Sequence, residues 1–367
     1  YNSLPFGLSS APRVYSKTMG VLVRFLRSQG VRMIAYLDDW LFICSRSQAQ
    51  ATARLVETSC SLAGISINWE KSCLSPSTRV KFLGFWVDSQ ARSLSVPNEK
   101  WSSLCDRLST VRKRGSCSAR TACSLASTLT SMGRVLGGAA QLFTRALLGF
   151  AASASTWDDG LAIPLDVDQE LEFWLRWPTS ALSAPFDAHR CRPSLLLACD
   201  ASATGWGALS LEGPTFSARG FFTADERLQS SAFRETLGLL RCLQSLPAPL
   251  RSGLVQVQVD NQAVPPIVRK GSPVPRLNSL AQQIFFLCRD MSFTLEVSWV
   301  PRDLNSAADS LSKTTDLEDW QLNPSIFKEL DALWGPHDVD GFASDLNHQL
   351  PRFYSKFCCP GSSGVDF

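Results

Sequence analysis

The sequence predicts an α/β (α+β) chain, and three observations predict it. Short apolar runs rich in β-branched and aromatic residues alternate with longer stretches of helical periodicity. One segment of the later half, VQVQVDN, alternates strictly between apolar and polar residues. Two apolar runs, LLLACDAS and VQVQVDN, reach an aspartate at their ends, Asp200 and Asp260. Open α/β sheets gather their functional groups at such strand ends. The chain has 367 residues, 45% hydrophobic and 19% charged, which is ordinary globular composition. Its length suits two or three domains with real cores.

In chain order, SSAPRVYSKTMGVLVRFLRSQG reads as a helix. Ser9 or Ser10 caps it, Pro12 suits its first turn and Gly30 ends it. VRMIAYL and WLFICS read as a hairpin with Asp38 and Asp39 at or beside its turn. SQAQATARLVETSCSLAG is a second helix, ended by Gly64. ISINWEKSCLS and VKFLGFWVDS read as strands, and LSVPNEK closes the region. From Trp101 to Phe150 the pattern is helical and basic, including VRKRG. Residues 151–190 are mixed, with one short amphipathic stretch, QELEFWLRW. A new α/β unit begins near Ser194. LLLACDAS, GWGALSL and TFSARGFF are strands, and SSAFRETLGLLRCLQSL is a helix. VQVQVDN is a strand, LNSLAQQIFFLCRD a helix, TLEVSWV a strand and SAADSLSK a last helix. Beyond about Thr315 the pattern assigns no order.

The net charge of +3 hides an asymmetry. Residues 1–150 carry 19 Lys/Arg against 7 Asp/Glu, and residues 151–367 carry 17 against 26. A basic first part suits a polyanion such as nucleic acid, the alternative being a merely solvated basic surface. None of the twelve cysteines stands in a C-x-x-C pair, and three histidines add no zinc spacing. Scattered thiols at this size point to a reducing compartment, hence an intracellular protein, cytoplasmic or nuclear. No signal peptide is visible. The longest apolar stretch, VLGGAAQLFTRALLGFAASAS, contains Gln141 and Arg145 and reads as a packed helix rather than a membrane span. No membrane partner is expected. The sequence starts at Tyr1 without Met, which leads us to expect a piece of something longer.

Two sets of carboxylates raise a chemical question. In IAYLDDWLFI, Asp38 and Asp39 stand side by side within an apolar run. Adjacent negative charges repel, and burying either unpaired is costly, so a cation would resolve the conflict. Later, Asp200 and Asp260 end strands, Glu235 lies inside a helix and Asp309 lies on the last helix. A lone strand-end Asp is ordinarily a turn or cap residue, and a lone helical Glu is ordinarily solvated. Glu235, however, lies between Phe233 and Leu237 in an otherwise apolar helix. Four carboxylates converging on one crevice would need cations. An all-oxygen donor set suits Mg²⁺ or Mn²⁺, two ions per site, which supports phosphodiester cleavage.

CDASATGWGALS, FRETLGLL, VDNQAV and VPRDLNSAADSLSK resemble, in order and spacing, the four acidic motifs of the RNase H superfamily, over residues 191–315. The resemblance implies a mixed sheet with flanking helices, two Mg²⁺ ions, and cleavage of RNA within an RNA–DNA hybrid. It assigns the metal ligands to Asp200, Glu235, Asp260 and Asp309. Asn305 matches a recurring Asn of related elements, its plain reading being a helix N-cap. Where related retroelements write H-x-P-G, this chain has Trp299-Val300-Pro301-Arg302, so a proton-relay histidine is not in place. Pro265 and Pro266 fall early in the helix after Asp260, tolerable in a first turn and disruptive beyond it.

YLDD resembles the Y-x-D-D box of reverse transcriptases, LPFGLSSAP the preceding block of the same palm, and KFLGFWVDS the following strand pair that supports the primer end. The resemblance implies Asp38 as a metal ligand and Asp39 as a second acid beside the same ions. It places Tyr36 at the flank of the site, and Leu4, Pro5, Phe6 and Gly7 at the nucleotide and template. Arg112, Lys113 and Arg114 are candidates for phosphate contact. Implied partners are template–primer, deoxynucleotides and RNA–DNA hybrid. The family's third palm carboxylate has no counterpart here, so residues 1–367 are not expected to polymerise DNA alone. The wording most closely resembles DIRS-like retrotransposons, which encode reverse transcriptase, RNase H and a tyrosine recombinase. On that resemblance the chain reads as partial palm (1–95), helical thumb-like region (96–160), connection (161–190), RNase H-like domain (191–315) and tail (316–367). The missing N-terminal part and a recombinase of the same polyprotein would be partners. The competing readings are a decayed or domesticated nucleic-acid-binding module and a stand-alone cellular nuclease.

Overall fold

The computed structural model describes residues 5, 7–186, 193–250, 253–313, 321–344 and 347–365. In chain order the first elements are α1 (Ala11–Ser28), β1 (Arg32–Tyr36), β2 (Asp39–Ile43), α2 (Ala49–Leu62), β3 (Arg79–Phe82), β4 (Phe85–Asp88), β5 (Ser93–Ser95) and α3 (Asn98–Arg114). There follow β6 (Ser116–Cys117), α4 (Ala119–Ser131), α5 (Gly133–Leu136), α6 (Ala139–Leu142), α7 (Arg145–Ser153), β7 (Leu161–Ala162), α8 (Leu165–Leu175) and β8 (Ser183–Pro185). The remainder is β9 (Leu195–Ala201), β10 (Gly205–Glu212), β11 (Ser217–Phe221), α9 (Ala224–Arg227), α10 (Ser231–Ser245), β12 (Leu254–Val259), α11 (Val264–Lys270), α12 (Pro275–Asp290), β13 (Thr294–Trp299), α13 (Ser306–Lys313) and α14 (Pro324–Trp334). The chain divides into two compact units, residues 1–101 with 182–187 and residues 102–181 with 188–367.

In the first unit, Pro12 sits in the opening turn of α1, where its missing N–H costs nothing. Ser10 stands at the N-cap without a capping bond. The chain leaves α1 through Gly30 at φ 82°, a left-handed conformation that favours glycine. β1 and β2 pair antiparallel with Tyr36 opposite Asp39, so the hairpin turns on Leu37 and Asp38. Leu22, Val23 and Leu26 of α1, Met33 of β1, and Val56 and Cys60 of α2 form its core. Residues 65–78 contain no strand, contrary to the reading of ISINWEKSCLS. Asn68 organises a turn there instead, its side chain accepting from Lys71 N at 3.2 Å and its carbonyl from Ser72 N at 2.9 Å. VKFLGFWVDS is a hairpin of two strands turning on Leu83 (φ 46°) and Gly84 (φ 80°). The sheet order is β3-β4-β5-β8.

The second unit combines a helical block with a five-stranded sheet. The apolar stretch from Val135 to Ser155 is not one helix, as its composition suggested. It breaks into the end of α5, α6 and α7, with Gly137 at φ 62° closing α5. Among the described residues no helix is long and apolar enough to cross a membrane. Buried Glu170 of α8 accepts hydrogen bonds from Ala146 N (2.8 Å) and Leu147 N (3.0 Å), in the first turn of α7. The helical block is tied to α12. Asn278 and Gln282 both donate to the Leu142 carbonyl, at 3.2 and 3.3 Å. Phe143 stacks on Phe173 with centroids 3.6 Å apart and meets Phe285 and Phe286 edge-on.

The sheet order is β11-β10-β9-β12-β13. β9, β10 and β11 pair antiparallel, whereas β12 runs parallel to both β9 and β13. β12 shows the predicted alternation, burying Val255, Val257 and Val259. α13 packs closely on β10 because Gly207 carries no Cβ. One built there would lie 2.7 Å from Ser312 N and 2.9 Å from Leu311 C. Pro265 and Pro266 lie in the first turn of α11 and do not break it. The tail carries structure where the sequence assigned none. α14 is capped by Asn323, Cys358 bridges Ala218 of edge strand β11, and Ala343, Phe353 and Cys359 make a small core.

Candidate active site

Asp200 stands near the C-terminal end of β9, and Asp260 directly follows β12, the parallel neighbour of β9. Adjacent parallel strands therefore deliver both carboxylates to the same edge of the sheet. α10 adds Glu235 from its buried face. One carboxylate oxygen from each of Asp200, Glu235 and Asp260 lies within 4.8 Å of the other two. Burial raises the Asp200 pKa, and the neighbouring acids add to it, while the Ser312 hydroxyl opposes them with a 2.6 Å bond to Oδ2. Glu235 is pushed up to about 9, first by burial and then by the charges of Asp200 and Asp260. Three acids held this close, two of them driven toward the protonated form, are a site that a cation would relieve. Hard oxygen donors without nitrogen or sulfur fit Mg²⁺ or Mn²⁺.

Asp309, the fourth carboxylate of the sequence reading, lines the same pocket but stands outside this group of three, held by two cations. Its Oδ1 receives Arg302 Nη2 at 2.9 Å and its Oδ2 receives Lys313 Nζ at 2.6 Å. The bonds from Lys313 and then Arg302 hold its carboxyl below the usual range. Arg302 Nε also lies 3.8 Å from Asp260 Oδ2. Asn305 is not a simple N-cap either. It is buried, and its Nδ2 donates to the Cys199 carbonyl at 3.1 Å, one residue before Asp200. Trp299 Nε1 donates to the Asp260 carbonyl at 3.0 Å. Sequence reasoning passed over Ser312, Lys313 and Arg302 as members of the site. For Ser312 and Lys313 the signal was present, since they stand three and four residues after Asp309 on one helix.

The first unit presents the other pair. Asp38 lies in the β1–β2 turn and Asp39 opens β2, both exposed, so the apolar run around them does not bury them. Among the described residues no third carboxylate, His or Cys joins them in a metal-sized group. Tyr36 is exposed. Tyr15 of α1 was not anticipated. Burial raises its phenol pKa and the charge of Asp38 raises it further. Gly7 occupies a turn at φ 85° and Pro5 is exposed, while Leu4 and Phe6 lie outside the described residues. Of the three basic candidates on α3, Arg112 is engaged within the fold. Its Nε bonds Asp168 at 2.9 Å and its Nη2 bonds Glu172 at 3.0 Å. Lys113 and Arg114 are exposed.

Residues 1–87 match the reverse transcriptase (RNA-dependent DNA polymerase) family. That span contains Asp38 and Asp39 of the β1–β2 hairpin and all but the last residue of the β3–β4 hairpin. Among solved structures, the chain is similar to a foamy viral protease–reverse transcriptase in complex with double-stranded DNA, at 15% identity and TM-score 0.40, covering 81% of this chain and 50% of that one. This chain thus spans about half the length of that relative. It is also similar to RNase H1 from the halophilic archaeon Halobacterium salinarum NRC-1, at 17% identity and TM-score 0.27, covering 32% of this chain and 92% of that one. LC11-RNase H1 in complex with an RNA/DNA hybrid matches at 19% identity and TM-score 0.27, covering 32% of this chain and 92% of that one. None of the curated proteins matches the chain.

Proposed function

We propose that residues 191–315 are a metal-dependent nuclease acting on the RNA strand of RNA–DNA hybrids, and that residues 1–95 are palm sequence of an RNA-directed DNA polymerase. Together they would serve a retrotransposon of the DIRS-like kind. The observation that carries the nuclease reading is the convergence of Asp200, Glu235 and Asp260 within 4.8 Å at the shared end of two parallel strands. Asp200, Glu235 and Asp260 are the residues that would hold the cation, with Asp309 beside them where a second ion is bound. Bound divalent metal supplies an activated water and stabilises the departing oxygen of a phosphodiester.

The chain's own residues prepare that chemistry. Ser312 donates to Asp200 Oδ2 and so orients the carboxylate. Asn305 pins the 3-10 turn Arg302–Asn305 to β9 through the Cys199 carbonyl. Trp299 braces Asp260 from its backbone side. Arg234 gives its Nε and Nη1 to the carbonyls of Ser202, Arg227 and Gln229, which fixes the start of α10 and with it Glu235. Lys113 and Arg114 on α3 are the remaining candidates to contact phosphates. The polymerase reading rests on the family match over residues 1–87, with Asp38 and Asp39 as its acids.

The test is degradation of a labelled RNA strand in an RNA–DNA hybrid with Mg²⁺, comparing the chain with Asp200→Asn. Cleavage of the RNA that disappears in the variant is the expected result. A folded wild-type chain that leaves the hybrid intact with both Mg²⁺ and Mn²⁺ would refute the nuclease reading.

A further inference from the structure

Three basic side chains line the carboxylate pocket, Arg234, Arg302 and Lys313, and they are not equivalent. Arg234 directs its Nε and Nη1 to three backbone carbonyls. Lys313 reaches Asp309 at 2.6 Å from one turn along the same helix. Arg302 is different. Its side chain is 71% exposed, yet it spans the mouth of the site, with Nη2 on Asp309 and Nε toward Asp260. A guanidinium carries five N–H donors, and Nη1 of Arg302 is not committed to either carboxylate.

The backbone beneath Arg302 is held from several sides. Val300 N donates to the Val259 carbonyl at 2.9 Å, and Leu304 N to the Pro301 carbonyl at 3.0 Å. The buried Asn305 ties the end of the turn to β9. Trp299, two residues before Pro301, is fixed to the Asp260 carbonyl. An exposed side chain on so firm a base binds a ligand with little backbone ordering cost. The planar fork of Arg matches two phosphate oxygens, which an ammonium cannot do.

We propose that Arg302 is the substrate-phosphate contact of this site: its free guanidinium edge takes a backbone phosphate of the hybrid beside the carboxylate triad and sets the register of the strand. This rests on the nuclease reading above. Asp260 and Asp309 then act as a holder that keeps the fork extended over the pocket until phosphate arrives. The negative charge of the surrounding acids ensures that this cation, rather than bare carboxylate, faces the incoming polyanion.

The experiment measures hybrid binding apart from turnover. The full chain carrying Glu235→Gln, which blocks cleavage, is titrated against a fluorescent RNA–DNA hybrid in Mg²⁺ by anisotropy. The titration is repeated with Arg302→Ala and with Arg302→Lys added, across roughly 50 to 200 mM salt. Circular dichroism verifies that each variant is folded. Arg302→Ala is expected to weaken binding about tenfold or more, and to reduce the slope of log K against log salt by about one. Arg302→Lys is expected to keep the slope and recover only part of the affinity, because charge remains and the fork does not. Unchanged affinity and slope in Arg302→Ala, against a parent that binds, would overturn the assignment and leave the nuclease reading standing. A parent that fails to bind hybrid removes both readings together.

Discussion

Ser312 has one hydroxyl proton and two acceptors in range, Asp200 Oδ2 at 2.6 Å and the Asp309 carbonyl at 2.9 Å. The shorter contact is to a carboxylate, and charge-assisted bonds are the stronger ones. Ser312→Ala therefore leaves a buried carboxylate oxygen without its donor. The expected stability loss is about 1–3 kcal/mol, read by urea unfolding. Hybrid cleavage should fall by more than the change in folded fraction explains, because Asp200 loses its orientation. An alanine variant with wild-type stability and wild-type cleavage would show that the bond orients nothing. At this scale the sequence was informative about Asp200, Glu235 and Asp260, each of which sits at a strand end or on an apolar helix face. Asp309 does line the same pocket, but the sequence did not show its ion pairs, because a helix position shows which turn a carboxylate is on, not which cation will reach it. Arg302 lies in a different local element, and only the fold of its turn brings it within 2.9 Å.

Two elements carry predictions of their own. α13 approaches β10 so closely that a methyl group at Gly207 would collide with the helix backbone at Ser312 and Leu311. Gly207→Ala is expected to cost about 1–3 kcal/mol and to displace Ser312 and Asp309 from the site. Loss of cleavage in a still-folded variant is the signature to seek, and full activity would exclude it. The second element is α7, whose first turn is capped by the Glu170 carboxylate. Burial holds Glu170 at about 7, above the ordinary glutamate value of 4.5, despite the opposing backbone bonds from Ala146, Leu147 and Arg145. An acid that binds its proton more tightly when folded stabilises the fold below its unfolded pKa. That contribution is lost as pH rises through about 7 and is constant beyond. The shift corresponds to at most about 3 kcal/mol. Urea unfolding from pH 4.5 to 8 should show wild type losing stability relative to Glu170→Gln across that window. Parallel pH curves would refute the assignment.

At the scale of the molecule, the notable result is that the helices of residues 102–181 and the five-stranded sheet form one unit. The aromatic cluster of Phe143, Phe173, Phe285 and Phe286, with the paired bonds to the Leu142 carbonyl, is what joins them. Trp174 seals the cluster by donating to the Phe143 carbonyl at 2.7 Å. Phe143 is 4% exposed, so Phe143→Ala should cost about 3–5 kcal/mol. Hydrogen exchange should then show α8 and β12 losing protection together. Loss confined to α8 would mean that the helices and the sheet fold independently. A helical block anchored this way carries its exposed Lys113 and Arg114 in fixed relation to the carboxylate site.

Local patterning was enough to read the order and type of nearly every element of the five-stranded sheet and its helices. Period-2 and period-3.6 patterns are properties of neighbouring residues, and they survive whatever the rest of the chain does. It likewise placed Asp200, Glu235 and Asp260 on elements that could bring them together. It failed where local patterns were balanced: at Asn68, whose turn overrode a strand-like run, and at Gly137, which broke an apolar stretch into short helices. Only the packed fold settles that Ser312 bonds an aspartate 112 positions away, that the turn carrying Arg302 brings its guanidinium onto Asp309 and toward Asp260, and that Phe143 binds helices to sheet. Those outcomes depend on which faces pack, and packing is a property of distances between remote residues that no local pattern records.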